Sequence, residues 1–183
     1  MAGQTRTLAI LLRAIGPVTH KLMSMTQWRA ASEAAGFLAP ETLVNTGNML
    51  AEFDGSDVAA VEKMTAVLRG FGLSENVVPI VRRPELLNAL MAANPIEAAA
   101  ERADQTGVYL FAADEPHLGW LEGHDGPEKI HVLQRHLVID FGPSVAQSAR
   151  LMRLIDKRCG TNTVRNWNSV RRIAERCRLR EKV

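Results

Sequence analysis

Thr42-Leu43-Val44-Asn45-Thr46-Gly47-Asn48-Met49-Leu50-Ala51-Glu52-Phe53 is the stretch on which the fold turns. Two β-prone runs, Thr42–Asn45 and Met49–Phe53, flank Thr46-Gly47-Asn48, and Gly and Asn are the residues that accept the positive φ of a tight hairpin. Upstream, Ser24 followed by Gln27 makes a capping-box pattern. Met25, Trp28, Ser32 and Ala35 then recur at helical spacing until Gly36. Before that helix lie a loop, Ala14–Met23, and an apolar run, Thr7–Arg13, that suits a strand buried on both faces. Downstream, Ser56 or Asp57 caps a helix with Val58, Val61, Met64 or Thr65, and Leu68 on one face, ended by Gly70, and Asn76–Val81 reads as a strand. The order is β-α-β-β-α-β, the ferredoxin-like order.

The remainder repeats the pattern without obvious residue identity. Pro84 opens a helix carrying Leu86, Leu87, Leu90 and Met91, and Asn94-Pro95 halts it, with an Ala-rich stretch to Asp104 as the linker. Thr106–Ala113 reads as a strand, Glu115–Glu122 as a short helix, and Lys129–Leu133 with His136–Asp140 as a hairpin across Gln134-Arg135. Ser144 caps a helix running to Cys159, with Gly160 at its end. This half is β-α-β-β-α and ends in a helix instead of a sixth strand. The predicted architecture is α+β: a ferredoxin-like subdomain over 1–83, a connecting helix and linker over 84–104, and a second such subdomain over 105–183. Its last helix is amphipathic, with Val170, Ile173, Ala174 and Cys177 on one face and Arg171, Arg172, Arg176 and Arg178 on the other.

Hydrophobic residues at 46% and charged residues at 23% indicate a packed core and not a disordered chain. No apolar run approaches the roughly 18 to 20 residues of a membrane span, and no signal-peptide core follows Met1. A cytoplasmic protein without a membrane partner is expected. Cys159 and Cys177 are too few for a disulfide framework and sit on apolar stripes, so both are read as reduced and packed. The net charge of +2 hides an asymmetry, since residues 150–183 carry +8 and residues 1–149 carry −6. A basic segment binds phosphate or nucleic acid, or pairs as a solvated face with an acidic body.

The glycine-rich dinucleotide and phosphate-loop motifs, the His-Glu-x-x-His metalloprotease motif and the Gly-x-Ser-x-Gly nucleophile elbow are all missing, which disfavours the common nucleotide, metalloprotease and hydrolase classes. Of five histidines, His131 and His136 fall on the outer face of their hairpin. Asp140 is the only further metal donor on that face, short of the three or four ligands a metal site needs, so no metal or cofactor is expected and both histidines are read as solvent-facing. His20, His117 and His124 sit in loops or at a helix and carry no pattern.

Thr161-Asn162-Thr163-Val164-Arg165-Asn166-Trp167-Asn168-Ser169 is more unusual, with hydrogen-bonding side chains, a guanidinium and an indole just before the basic helix. Helix-start N–H groups attract anions and an adjacent Arg adds bidentate contacts. The structural alternative is that Trp167 packs in the core while Arg165, Asn166 and Asn168 cap the helix and satisfy nearby carbonyls.

The chain resembles the bacterial family called domain of unknown function 1697. The resemblance rests on Leu11-Leu12-Arg13-Ala14-Ile15-Gly16 with Lys21 in the following loop, on Thr46-Gly47-Asn48, on Asn94-Pro95 and, most specifically, on Thr163-Val164-Arg165-Asn166-Trp167-Asn168-Ser169, and it extends from Leu11 to about Cys177. It implies two ferredoxin-like subdomains and no established activity. The chain departs from the family where Pro17-Val18-Thr19 replaces a Gly-Gly, removing backbone freedom from the first loop, and where Ser148-Ala149 replaces a Ser-Lys.

The leading expectation is a small binding protein for an anionic ligand held by Arg13 and Lys21 of the first loop, Asn48 of the hairpin, and Arg165, Asn166 and Trp167. The alternatives are a nucleic-acid-binding module acting through the C-terminal basic helix, which lacks the paired aromatics of RNA-recognition sheets, and an enzyme of unknown reaction drawing on His20, Lys21, Asn48 and Arg165. Nothing in the pattern bears on oligomeric state.

Overall fold

The apolar run Arg6–Leu12 forms β1, buried from Thr7 onward, in a computed structural model that describes residues 4–44, 47–143 and 145–182. After β1 come α1 (Pro17–Leu22), α2 (Met25–Ala34), β2 (Leu38–Thr42), β3 (Asn48–Phe53), α3 (Asp57–Gly70), β4 (Pro79–Arg82) and α4 (Pro84–Ala93). Then follow β5 (Thr106–Phe111), β6 (Lys129–Leu133), β7 (His136–Asp140), α5 (Ala149–Arg158), β8 (Asn162–Asn166) and α6 (Trp167–Arg180). The described residues thus form a mixed α+β fold with six α-helices and two four-stranded sheets, ordered β2-β3-β1-β4 and β6-β7-β5-β8. Every pairing is antiparallel. The chain divides into two compact units, residues up to Asn88 together with those from Arg172 onward, and Ala89–Arg171.

In the first unit, Leu8, Ile10 and Leu12 of β1 and Met49, Ala51 and Phe53 of β3 point to one face, as the two-residue strand period requires. They meet Trp28 of α2 and Ala60, Met64 and Leu68 of α3. Ser24 and Gln27 exchange the reciprocal bonds of a capping box at the start of α2, and Ser56 caps α3 through Ala59 N–H. Of the predicted stripe of α3, Met64 and Leu68 are buried and Val61 packs against the same core, Ala60 joins them, and only Val58 is exposed.

Two predictions for this unit shift. The first loop contains α1, because Pro17 fixes a helical φ at its first position and Thr19 Oγ1 accepts from Gly16 N–H. The partner of β3 is Leu38–Thr42, which the predicted run Thr42–Asn45 meets only at Thr42. Thr42 pairs with Met49, Glu41 with Leu50 and Leu38 with Glu52, with an irregularity between Leu38 and Glu41. Pro40 and Ala39, at φ 45°, hide this strand from a propensity reading, yet an edge strand tolerates both. The irregularity is held from α6: Arg180 Nη2 donates to Ala39 O at 2.6 Å, and Arg176 Nε donates to both Glu41 carboxylate oxygens at 2.9 and 3.1 Å. Asn45 and Thr46 of the predicted turn lie outside the described residues.

In the second unit, Tyr109 and Phe111 of β5 and Leu137 and Ile139 of β7 meet Leu151 and Ile155 of α5 and Cys159. The hairpin turns where predicted, with Leu133 opposite His136 and Gln134 at φ 55°. Glu115–Glu122 is not a helix; a short 3₁₀ segment, Gly119–Gly123, stands there, since glycines at both ends favour a brief turn over a sustained helix. The unit does close with a further strand: Asn162–Asn166 pairs along β5 from Phe111–Asn162 to Gly107–Asn166. Backbone pairing made that strand despite its polar side chains. His136 is buried, not solvent-facing, because β7 is covered on both faces. Ser144, the predicted cap, lies outside the described residues, and a 3₁₀ segment, Val145–Ser148, leads into α5.

Candidate functional site

The six predicted residues fall three to each unit. In the first, Arg13 directly follows β1 and Asn48 opens β3, and the pairing of Leu11 with Asn48 puts both at one end of the sheet. Arg13 is half-buried and its N–H donates to Val78 O. The Asn48 side chain is buried and donates to Val44 O at 2.7 Å and Leu43 O at 3.3 Å. Lys21 lies exposed in the last turn of α1.

In the second unit, β8 and the start of α6 place the Arg-Asn-Trp motif. Trp167 is buried. Asn166 Oδ1 accepts from Ser169 N–H at 2.8 Å, three residues on, which is an N-cap bond for α6. Asn168 Nδ2 donates to Ala100 O at 3.2 Å. Arg165 Nη1 donates to Thr163 Oγ1 at 2.6 Å and to Val164 O at 2.9 Å. Loss of solvation pushes the Arg165 guanidinium down to about 10, which leaves it cationic at neutral pH.

That guanidinium lines a cleft of about 190 Å³ whose walls include Asp104, Gly107, Phe141, Met152 and Asn166. Gly107 is required there: a Cβ on it would sit 2.7 Å from the Phe141 ring. A desolvated cation beside a helix N-cap in a part-apolar cleft is suited to an anion's charged group.

A larger cavity, about 360 Å³, lies elsewhere in the second unit, between α5 and the loop around Gly123–Glu128. His124 Nε2 and Glu128 Oε2 pair at 2.8 Å, and the Arg158 guanidinium lies over the Trp120 ring at 5.1 Å. Burial works to raise the Glu128 carboxyl, but polar attraction from Ser148 and His124 outweighs it and holds the group below the ordinary carboxylate range. No motif in the sequence marks these residues. Their only signal was the glycine and proline content of Gly119–Pro127, which denies the segment a helix.

Asp140, the companion of the hairpin histidines, is held by Arg102 Nη1 at 3.1 Å and by Gly142 N–H at 2.9 Å. Among the described residues no group of three or more His, Cys, Asp or Glu is placed to hold a metal ion. No helix among them is long and apolar enough to cross a membrane.

A solved structure of a conserved bacterial protein, SP0830 from Streptococcus pneumoniae, is similar over 96% of this chain and 99% of its own, with a TM-score of 0.79 and 15% identity, a likeness of fold. No curated protein matches. The family model described as "Protein of unknown function (DUF1697)" matches residues 5–137, from before β1 into the β6–β7 hairpin, and the chain therefore belongs to that family, which carries no assigned activity.

Proposed function

We propose that this is a cytoplasmic binding protein for a small anionic ligand, built on two ferredoxin-like units, with Arg165 as the principal contact in the second. The ferredoxin-like reading draws support from the strand order β2-β3-β1-β4 and its counterpart β6-β7-β5-β8. The binding reading is carried by one observation, the desolvated Arg165 guanidinium lining the 190 Å³ cleft. Such a charge is worth more to an anion than the same charge in water, because the local dielectric is lower. In the first unit, Arg13 after β1 and Lys21 in α1 are the cationic members of the proposed set, with Asn48 bonded to the carbonyls of Leu43 and Val44.

Nucleic-acid binding through the C-terminal helix is the weaker reading. Arg176 and Arg180, two of its guanidiniums, are spent on Glu41 and Ala39 of the first unit.

The test is a thermal-shift series with nucleotides, sugar phosphates and short RNA on wild type and Arg165→Ala. A ligand at about a hundred times its dissociation constant adds about 2.7 kcal/mol. At about 2–4 °C per kcal/mol for a chain of this length, Tm rises by roughly 5–10 °C. The rise is expected with one anion class and is lost in Arg165→Ala. An equal rise in the variant removes Arg165 from the site.

A further inference from the structure

The 360 Å³ cavity is lined by two kinds of surface. From the loop come Asp125, His124 and Glu128, and from α5 come Arg150, Leu154 and Arg158. The α5 residues recur at i, i+4 and i+8, one stripe of the helix, which sets the two arginine positions about 12 Å apart along its axis. Met152, which lines the Arg165 cleft, lies on another side of α5, so the two cavities are distinct.

Three observations show a formed site and not a surface dent. Glu128 is a carboxylate whose side chain is only 4% exposed, and His124 engages one of its oxygens. Gly126 sits against this pair with no room to spare, because a Cβ there would collide with both Glu128 Oε2 and His124 Nε2. Arg150 and Asp125, on opposite walls, have no ion-pair partner among the described residues. The charges that could have neutralised each other are held apart, acids on the loop and guanidiniums on the helix.

We propose that this cavity binds a small zwitterion, a molecule with a cationic amino group facing Asp125 and Glu128 and a carboxylate facing Arg150 and Arg158, with Leu154 and Trp120 against its carbon chain. Segregated charge selects this class, since a simple anion would meet the loop's two carboxylates and a simple amine the two guanidiniums. The same juxtaposition of unlike partners gives specificity by penalising the wrong charge at each end.

The test uses the full chain and a series of unbranched amino acids carrying the amine at the far end, from glycine to 6-aminohexanoate. It is read at the indole N–H resonance of Trp120, assigned by its loss in Trp120→Phe. Affinity should pass through a maximum at one chain length and exceed that of the matched alkyl carboxylate and alkylamine by about tenfold, or 1.4 kcal/mol. Arg150→Ala should erase the advantage over the amine and Asp125→Asn the advantage over the carboxylate, while Arg165→Ala leaves the titration unchanged. Both exposed side chains lack ion-pair partners, so their removal does not threaten the fold. Equal binding of the carboxylate alone, affinity flat with chain length, or no response from any member at millimolar concentration each overturns the proposal.

Discussion

The first and second units share a strand order but fill the space over their sheets differently. Between β1 and β2 the first unit has α2, three turns long, whose Trp28 is fully buried and donates from Nε1 to Met64 Sδ of α3 at 3.2 Å. Between β5 and β6 the second unit has only Gly119–Gly123, and there the indole of Trp120 meets a guanidinium of α5 instead of a core thioether. The full helix carries its indole into the core, and the single 3₁₀ turn leaves Trp120 half-buried at the wall of the 360 Å³ cavity. The lesson is that one repeated strand order buries an indole wholly in its core in one half and sets another at the wall of a cavity in the other.

Trp28→Ala should separate the two units most clearly. Removing a fully buried indole from the core should cost roughly 3–5 kcal/mol, measured by denaturant unfolding, whereas Trp120→Ala should cost far less. Similar losses at both positions would mean that the two layers are equally packed.

Asn166→Ala sharpens the role of the Arg-Asn-Trp motif. Losing the cap bond to Ser169 N–H should destabilise by about 1 kcal/mol. If ligand-induced stabilisation persists in this variant and is lost in Arg165→Ala, capping and binding belong to different residues of one motif.

The smallest effect concerns Glu128→Gln. The folded carboxyl lies below its ordinary value, so its charge stabilises the folded form above about pH 4.3. That contribution disappears as pH falls through the depressed folded value. Stability curves against pH should therefore converge for wild type and variant at acid pH and separate, by less than about 1 kcal/mol, near neutrality. A constant separation down to pH 2 would contradict the assignment.

Much of the fold was legible because local signals agreed with the tertiary outcome. The Ser24–Gln27 box, the Ser56 cap, Pro84 and the β6–β7 turn each state a local geometry in adjacent residues. The strands at sheet edges were not. β2 contains Pro40 and β8 is almost wholly polar, and both exist because a neighbouring strand supplies hydrogen-bond partners. His136 misled for a related reason: alternation assigns it a face, but only packing determines whether that face meets water. The Arg-Asn-Trp motif was found from its composition, while the His124–Glu128 cavity was missed because its walls are about 25 residues apart in the chain.

By itself, the sequence determined the order of most elements, the family, and the segregation of positive charge toward the C-terminus, since these follow from periodicity, caps and motifs within a few residues of one another. The tertiary structure alone decided that Asn162–Asn166 is a strand, that the far end of α6 fastens to Ala39 and Glu41, and that arginines of α5 face acids of a distant loop. Those outcomes rest on hydrogen bonds and charges between residues far apart in the chain, whose meeting is arranged by packing and not by any local pattern.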